Sequence, residues 1–212
     1  MRPAALDDRA EDLLYLSAQR YYDAYAGSEA TARRMLRRVH ARPGHPASVA
    51  LARVAEAEGR VAGVVVGFPA GEGEDLARRF LRLTAWRIPP WRWRRLVRHL
   101  NAAAGMSPAP APGSWYVDAL AVAAGARRRG VARALLADAE AIARARGATG
   151  VSLDTGLENA AARRLYESSG YEQRDIRRAR TERAARAIGG EGFIGYFKPV
   201  ETARAPAPPP RA

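Results

Sequence analysis

The chain has no cysteine, so disulfides, thiolate metal sites and a thiol nucleophile are all excluded. Histidine is scarce, at positions 40, 45 and 99. Those spacings hold no metal-ligand pattern, and no metal is expected. Long hydrophobic runs are also missing. The longest uncharged apolar stretch, Val61 to Gly71, is well short of the ~20 residues that a membrane span needs. The N-terminus, MRPAALDDRAED, has no hydrophobic signal core and turns acidic at once, which together with the absent cysteine points to a cytoplasmic protein. Lysine is nearly absent, since 34 of the 35 basic residues are Arg. With abundant Ala, that is the mark of a GC-rich coding bias. The net charge of +13 invites a nucleic-acid reading, but this bias raises Arg without selecting a binding surface. Nucleic acid is therefore not expected as the main partner, and a nucleotide cofactor is a polyanion that satisfies the same charge.

What is present suits one globular unit: 212 residues, 48% apolar. Met1–Ala5 reads as a short strand. Leu13, Leu14, Leu16, Tyr21 and Tyr22 share one face of a helix over 11–25. Gly27 stops it, and Ser28 caps a second helix running to about His40. Ser48–Ala55 and Arg60–Phe68 are strands joined at Glu58-Gly59, and the apolar run Val61–Val66 predicts burial on both faces. Residues 71–114 are irregular: acidic GEGED, a helix Leu76–Trp86, a Pro89-Pro90 break, the basic aromatic helix WRWRRLVRHL and the stiff connector SPAPAPG. They read as an insertion on a domain spanning 1–200, and 201–212 as a disordered tail.

From Trp115 the pattern sharpens. Trp115–Val122 predicts a strand, Arg127–Arg146 a helix stopped by Gly147, Val151–Thr155 a strand, and Asn159–Ser169 a helix stopped by Gly170. Tyr171–Arg177 and Phe193–Val200 close the order as strands. A strand–helix–strand unit over 115–155 implies a parallel pair, so the class is α/β (α+β mixed). At Arg127-Arg128-Arg129-Gly130-Val131-Ala132-Arg133 a helix begins with small residues. Its first amides are unpaired and its dipole favours anions, while the arginines add fixed charge. That is a candidate diphosphate cradle, although Arg-x-x-Gly-x-Ala alone also fits an ordinary basic helix start.

The distance to the next element gives a resemblance. Arg127, Gly130 and Ala132, followed by Asn159, Ala162, Leu165, Tyr166 and Gly170 with Tyr171, resemble the two cofactor motifs of the GNAT superfamily of N-acetyltransferases. The proline that many members carry after the strand valine is absent (Ala124). The resemblance is specific across 115–171. It implies a central mixed, mostly antiparallel sheet of about 6–7 strands flanked by helices, with the helical insertion between strands 3 and 4. It also implies that acetyl-CoA is the acyl donor: backbone groups of Leu120 and Val122 on the acetyl carbonyl and pantetheine, amides around Arg128–Arg133 on the diphosphate, Asn159 and Ala162 on the cofactor's other side, and Tyr166 aimed at the sulfur.

Direct attack by an amine is the mechanism implied, and an amine with a pKa of ~10.4 is neutral only ~0.04% of the time at pH 7. A base must take its proton. Asp118, read as sharing a strand face with Tyr116, Leu120 and Val122, is the candidate, with pairing to an arginine as the competing reading. Tyr166 at an ordinary pKa of ~10 lies above a thiol at ~8.5, so full proton transfer is uphill by roughly 2 kcal/mol and a hydrogen-bond role is expected. Core packing is the alternative. Glu72, Glu74 and Asp75 form either a substrate-facing acidic loop or a solvated turn. Trp86, Trp91 and Trp93 are read as covering the core, with a roof over the acceptor site, a membrane surface or RNA stacking as alternatives. The partner is an unidentified amine, a homodimer is compatible, and a non-catalytic acyl-CoA sensor or a basic nucleic-acid or membrane-surface binder are the competing functions.

Overall fold

A computed structural model describes residues 1–88, 90–103 and 105–201. The expected break at Pro89 and the tail expected beyond Glu201 lie outside the described residues. Seven strands form one sheet in the order β1-β2-β3-β4-β5-β7-β6: β1 (Arg2–Pro3), β2 (Ala52–Ala57), β3 (Arg60–Pro69), β4 (Trp115–Val122), β5 (Gly150–Gly156), β6 (Glu172–Arg178) and β7 (Gly192–Pro199). β4 and β5 are the parallel pair, and all other neighbours are antiparallel. The mixed, mostly antiparallel sheet is thus as expected.

Helices cover both faces. On one side lie α1 (Ala10–Ser17), α2 (Gln19–Ala26), α3 (Glu29–Val39) and, between β3 and β4, α4 (Gly73–Thr84) and α5 (Trp93–Ala103). Their apolar residues meet Val54, Val64, Val66 and Phe68 in one core. On the other side α6 (Val131–Ala145) sets Leu135, Leu136, Ala139 and Ala143 against Val65, Val117, Val151 and Leu153. Successive strand residues point to opposite faces. With helices on both, Val64, Val65 and Val66 are all buried, which is why that run carries no polar alternation. Each fully buried leucine or valine removed from water contributes ~1.5–3 kcal/mol. Completing the set are α7 (Ala160–Ser168) and α8 (Glu182–Ile188).

Several boundaries differ from expectation for local reasons. The helix expected over 11–25 is two helices, because Ala18 leaves helical geometry (φ −143°, ψ 45°). Ser17 Oγ donates to the Leu14 carbonyl at 2.7 Å, offering the backbone a local alternative to continued winding. Ser48 caps a 3-10 turn over Val49–Leu51, so β2 starts later than expected. The helix expected from Arg127 begins at Val131, since Arg128 (φ 63°) and Gly130 (φ 81°) are both left-handed and cannot lie inside a right-handed helix. α8 was not anticipated at all. Thr181 caps it by accepting the Ala184 amide, and Gly189 (φ 79°) ends it.

Candidate active site

The parallel pair is joined over only three positions: Trp115 with Val151, Tyr116 with Ser152, and Val117 with Leu153. Beyond them β4 runs on to Val122 and β5 to Gly156 without pairing to each other, so the sheet opens into a wedge. The Ala123 amide donates to the Ala62 carbonyl at 2.8 Å, toward β3. Backbone groups alternate edges along a strand, so those of Leu120 and Val122 point the other way, into the wedge. Arg127 Nε donates to the Val122 carbonyl at 3.3 Å.

At the outer end of the wedge the left-handed residues Arg128 and Gly130 turn the chain into α6. The amides of Arg128, Arg129, Gly130, Val131, Ala132 and Arg133 have no hydrogen-bond acceptor among the described residues. The first one satisfied is that of Ala134, which donates to the Gly130 carbonyl at 3.0 Å. Unpaired amides at the positive end of a helix dipole make an anion site. A non-glycine residue such as Arg128 in this conformation carries a cost of order 1–2 kcal/mol, so surrounding structure holds it there. The guanidinium of Arg129 pairs with Glu58 at 2.7 Å and that of Arg133 donates to Ser168 at 3.3 Å.

The inner end is a cavity of about 430 Å³, a size suited to small-molecule binding. Of the residues singled out in the sequence, it brings together Asp118, Leu120, Asn159, Ala162 and Tyr166. Val122 and Arg127 through Arg133 lie outside it, further along the wedge.

Asp118 occupies a break in register. Val66 faces Ala119 while Gly67 faces Val117, leaving Asp118 as the extra residue of a β-bulge. Bulges re-aim side chains, and this one reverses the faces of β4. Before it Trp115 and Val117 enter the α6-side core and Tyr116 packs against the α1-side core; after it Ala119 and Ala121 enter the α1 side and Leu120 and Val122 the α6 side. The expected shared face of Asp118 with Tyr116, Leu120 and Val122 is therefore incorrect. The bulge turns Asp118 into the cavity instead. No arginine among the described residues forms an ion pair with it, against the competing reading of a paired strand carboxylate.

Asp154 on β5 lines the same cavity and was not singled out in the sequence. It accepts a hydrogen bond from the Tyr116 hydroxyl at 2.6 Å. Enclosure by protein pushes its pKa up to about 6, against the lowering effect of the Tyr116 hydrogen bond. The Asp118 carboxyl stays open to solvent along the cavity, yet protein surrounds it. That enclosure, and next the charge of Asp154, raise its pKa to about 7. The two carboxyls form a coupled pair that holds protons more tightly than ordinary aspartates. The Tyr21 phenol in the same wall is pushed up to about 12 by burial and by the charge of Asp118.

Tyr166 is buried to 6% exposure, its ring edge-on to Tyr196 at 5.5 Å. Its hydroxyl makes no hydrogen bond to another described residue, although the residue lines the cavity. Burial raises its pKa, as do the nearby charge of Asp154 and Tyr196, so it remains protonated and able to donate. Asn159 caps α7: its Oδ1 accepts the Ala162 amide at 3.2 Å and its Nδ2 donates to Thr155 at 3.1 Å.

The acidic loop lies elsewhere. Glu74 and Asp75 sit in the first turn of α4 and pair with Arg78, and neither they nor Glu72 reach the cavity. Trp86, Trp91 and Trp93 are exposed at 66, 80 and 50%, so the expectation that they cover the core is incorrect. Ile88 and Leu96 do so instead. None of the three tryptophans lines the cavity. What the segment between β3 and β4 supports is the cavity wall. His99 on α5 bonds the Ala187 carbonyl on α8 at 2.7 Å and stacks edge-on against Tyr21 at 4.7 Å. It thereby ties together the two helices, α2 and α8, whose ends border the cavity. Among the described residues no helix is long and apolar enough to cross a membrane.

A splayed parallel pair with unpaired amides at its mouth and a phenol at its inner end is the scaffold of an acyltransferase. A model of the acetyltransferase (GNAT) family matches residues 11–171, and the chain belongs to that family. Solved structures agree on the fold. A crystal structure of an acetyltransferase is similar at 22% identity, covering 94% of this chain and 98% of the other, with a TM-score of 0.63. An N-acetyltransferase from Staphylococcus aureus Mu50 is similar at 16% identity over 93% and 98%, TM-score 0.67. The polyamine N-acetyltransferase of Drosophila melanogaster, which catalyses formation of N-acetylagmatine, is similar at 19% identity over 94% and 98%, TM-score 0.55. No curated protein sequence matches the chain.

Proposed function

We propose that residues 1–200 work as one acetyl-CoA-dependent N-acetyltransferase that moves an acetyl group to a primary amine. The observation that carries this reading is the unbroken run of unpartnered amides from Arg128 to Arg133, opening onto the wedge that leads to Tyr166. These amides suit a diphosphate, and the free backbone edge of Leu120 and Val122 suits the amides of a pantetheine arm. Asn159 and Ala162 border the same path from α7. Acetyl-CoA supplies an activated acetyl thioester when bound.

The chain's own groups then have two tasks. The Asp118–Asp154 pair takes the proton from the incoming ammonium, directly or through water. Each unit by which burial raises the acceptor's pKa recovers about 1.4 kcal/mol of that uphill transfer. Tyr166 donates a hydrogen bond where negative charge develops on sulfur, since burial makes full transfer of its proton harder still. A carboxyl pair set at the inner end of the wedge favours catalysis over a non-catalytic sensor, which has no use for a base. The enzyme is expected to act in the cytoplasm. Release of free CoA is the test: it is expected only when acetyl-CoA and an amine are both present. Binding of acetyl-CoA with no release across a broad amine panel would leave the sensor as the answer.

A further inference from the structure

We infer that the acceptor is a short aliphatic amine bearing a second cationic nitrogen, and that Glu158 holds that second charge. This rests on the proposed acetyl transfer in the same cavity and narrows its substrate.

The first ground is charge. In a protein with 35 basic and 22 acidic residues, the cavity lining contains Asp118, Asp154 and Glu158 but only one cation, Arg20. Arg20 is 75% exposed at the rim and its nearest approach to Glu158 is 3.8 Å, too long for a hydrogen bond. Neither aspartate has an ion-pair partner among the described residues. An arginine-rich chain that keeps its arginines away from both aspartates, and sets against Glu158 only an exposed rim arginine at 3.8 Å, leaves these carboxylates open to a ligand. A single ammonium uses the aspartate pair, which takes its proton. Glu158 is then surplus.

The second ground is shape. The Glu158 carboxylate lies against the backbone of two glycines. A Cβ at Gly190 would overlap Oε1, and one at Gly156 would come within 3.2 Å of the same oxygen. A side chain at Gly190 would displace this carboxylate and one at Gly156 would crowd it, so small residues on β5 and after α8 make its place at the cavity wall. The third ground is Tyr166, a residue only 6% exposed whose hydroxyl opens on the same cavity with no partner among the described residues, so a polar group is left facing the space where a molecule would bind. Between these polar groups Tyr21, Ile188 and Phe193 give an aromatic and apolar wall for a methylene chain, and an aromatic face also attracts a cation.

The test compares 1,4-diaminobutane with n-butylamine at fixed acetyl-CoA, reading kcat/KM from CoA release. The diamine is expected to be favoured by at least ~10-fold, mostly in KM, the worth of one well-placed charge contact of about 1.4 kcal/mol. In Glu158→Gln that preference is expected to collapse toward unity, while Glu158→Asp retains part of it and acetyl-CoA binding by calorimetry is retained in both. Equal kcat/KM for the two amines in the wild type, or a preference that survives Glu158→Gln, overturns the inference while leaving acetyl transfer intact. Better turnover of an uncharged-side-chain peptide N-terminus than of the diamine overturns it too. If acetyl-CoA binds and no amine of any class releases CoA, acetyl transfer itself is what fails.

Discussion

Replacing Asp154 by Asn is expected to stabilise the fold at alkaline pH while impairing the reaction. The folded protein raises this carboxyl from 3.8 to about 6, with burial as the largest cause. Two units correspond to at most ~3 kcal/mol, and partial solvent access along the cavity reduces this to roughly 1–2 kcal/mol. The folded state therefore binds more protons than the unfolded chain between about pH 4 and pH 6, and stability falls as pH rises through that window. The penalty is complete above about pH 7 and absent below about pH 4. Asn carries no charge at any pH, yet its Oδ1 still accepts the Tyr116 hydroxyl now held at 2.6 Å. Urea denaturation should accordingly show a gain near 1–2 kcal/mol at pH 8 that disappears at pH 4. A second consequence follows for Asp118, whose pKa of about 7 owes its second contribution to the charge of Asp154. Without that charge the acidic limb of the kcat/KM profile should move to lower pH while its plateau drops. A stability change of equal size at both pH values, or a loss at pH 8, would refute the electrostatic account of this pair.

Tyr166→Phe should lower kcat on the order of 10²-fold with acetyl-CoA affinity nearly unchanged. Because the lost hydroxyl has no partner among the described residues, thermal stability should hold or rise, and a clear drop in Tm would mean that the phenol serves the core. Gly130→Ala meets open space but not a permitted φ at 81°, so ~1 kcal/mol of stability and part of the acetyl-CoA affinity should go. Gly130→Asn, which tolerates left-handed geometry better, should recover some of both in calorimetry. Glu140→Ala removes a carboxylate that accepts from Lys198 at 2.9 Å and Tyr171 at 3.2 Å, and it should destabilise by ~2–4 kcal/mol in denaturant titration. No measurable change there would show that the pair is solvated.

Much of the fold was legible because the sequence keeps its punctuation. Trp115–Val122 was read to the residue, since a largely apolar run there is bounded by the SPAPAPG connector before it and a basic turn after it. Gly27, Gly147 and Gly170 stop their helices through positive φ, which composition alone suggests. What escaped depends on contacts between distant residues. Asp154 looked like one polar residue in a short strand, and only the unpaired ends of β4 and β5 set it facing Asp118. Glu158 reads as a loop charge until Gly190, thirty-two positions away in sequence, is seen against it. α8 did leave a local signal, Thr181 before Glu182 and a Gly189-Gly190 stop, but it lies among arginines and alanines that dilute any periodicity. The tryptophans misled because aromatic content normally predicts burial, whereas here Ile88 and Leu96 bury the faces and the rings remain outside.

Two backbone irregularities on one strand account for the position of the whole site. A fully paired, regular β4 would bury its amides in the sheet on both edges and leave no polar backbone for a ligand. Ending the pairing with β5 after Val117 frees one edge, and at the very next residue the bulge at Asp118 reverses which side chains enter each core. The order matters. Were the bulge several residues later, Asp118 would stay in alternation with Tyr116 and Ala119 would be driven toward the opposite core, a one-residue slip that exchanges the faces of everything beyond it. Placed where the wedge begins, it leaves Val64 and Val66 packed against Ala119 and Ala121, keeps Leu120 and Val122 toward α6, and turns the one acidic residue of the strand into the opening. Deleting Asp118 should thus regularise β4 while leaving Ala119–Val122 in their present cores, because Val117 and Ala119 already face the adjacent β3 residues Gly67 and Val66. Inserting one alanine between Ala119 and Leu120 instead drives Leu120–Val122 toward the wrong cores and should cost far more in unfolding free energy than the deletion. Comparable unfolding free energies for the deletion and the insertion would mean that the bulge is not what sets the faces of this strand.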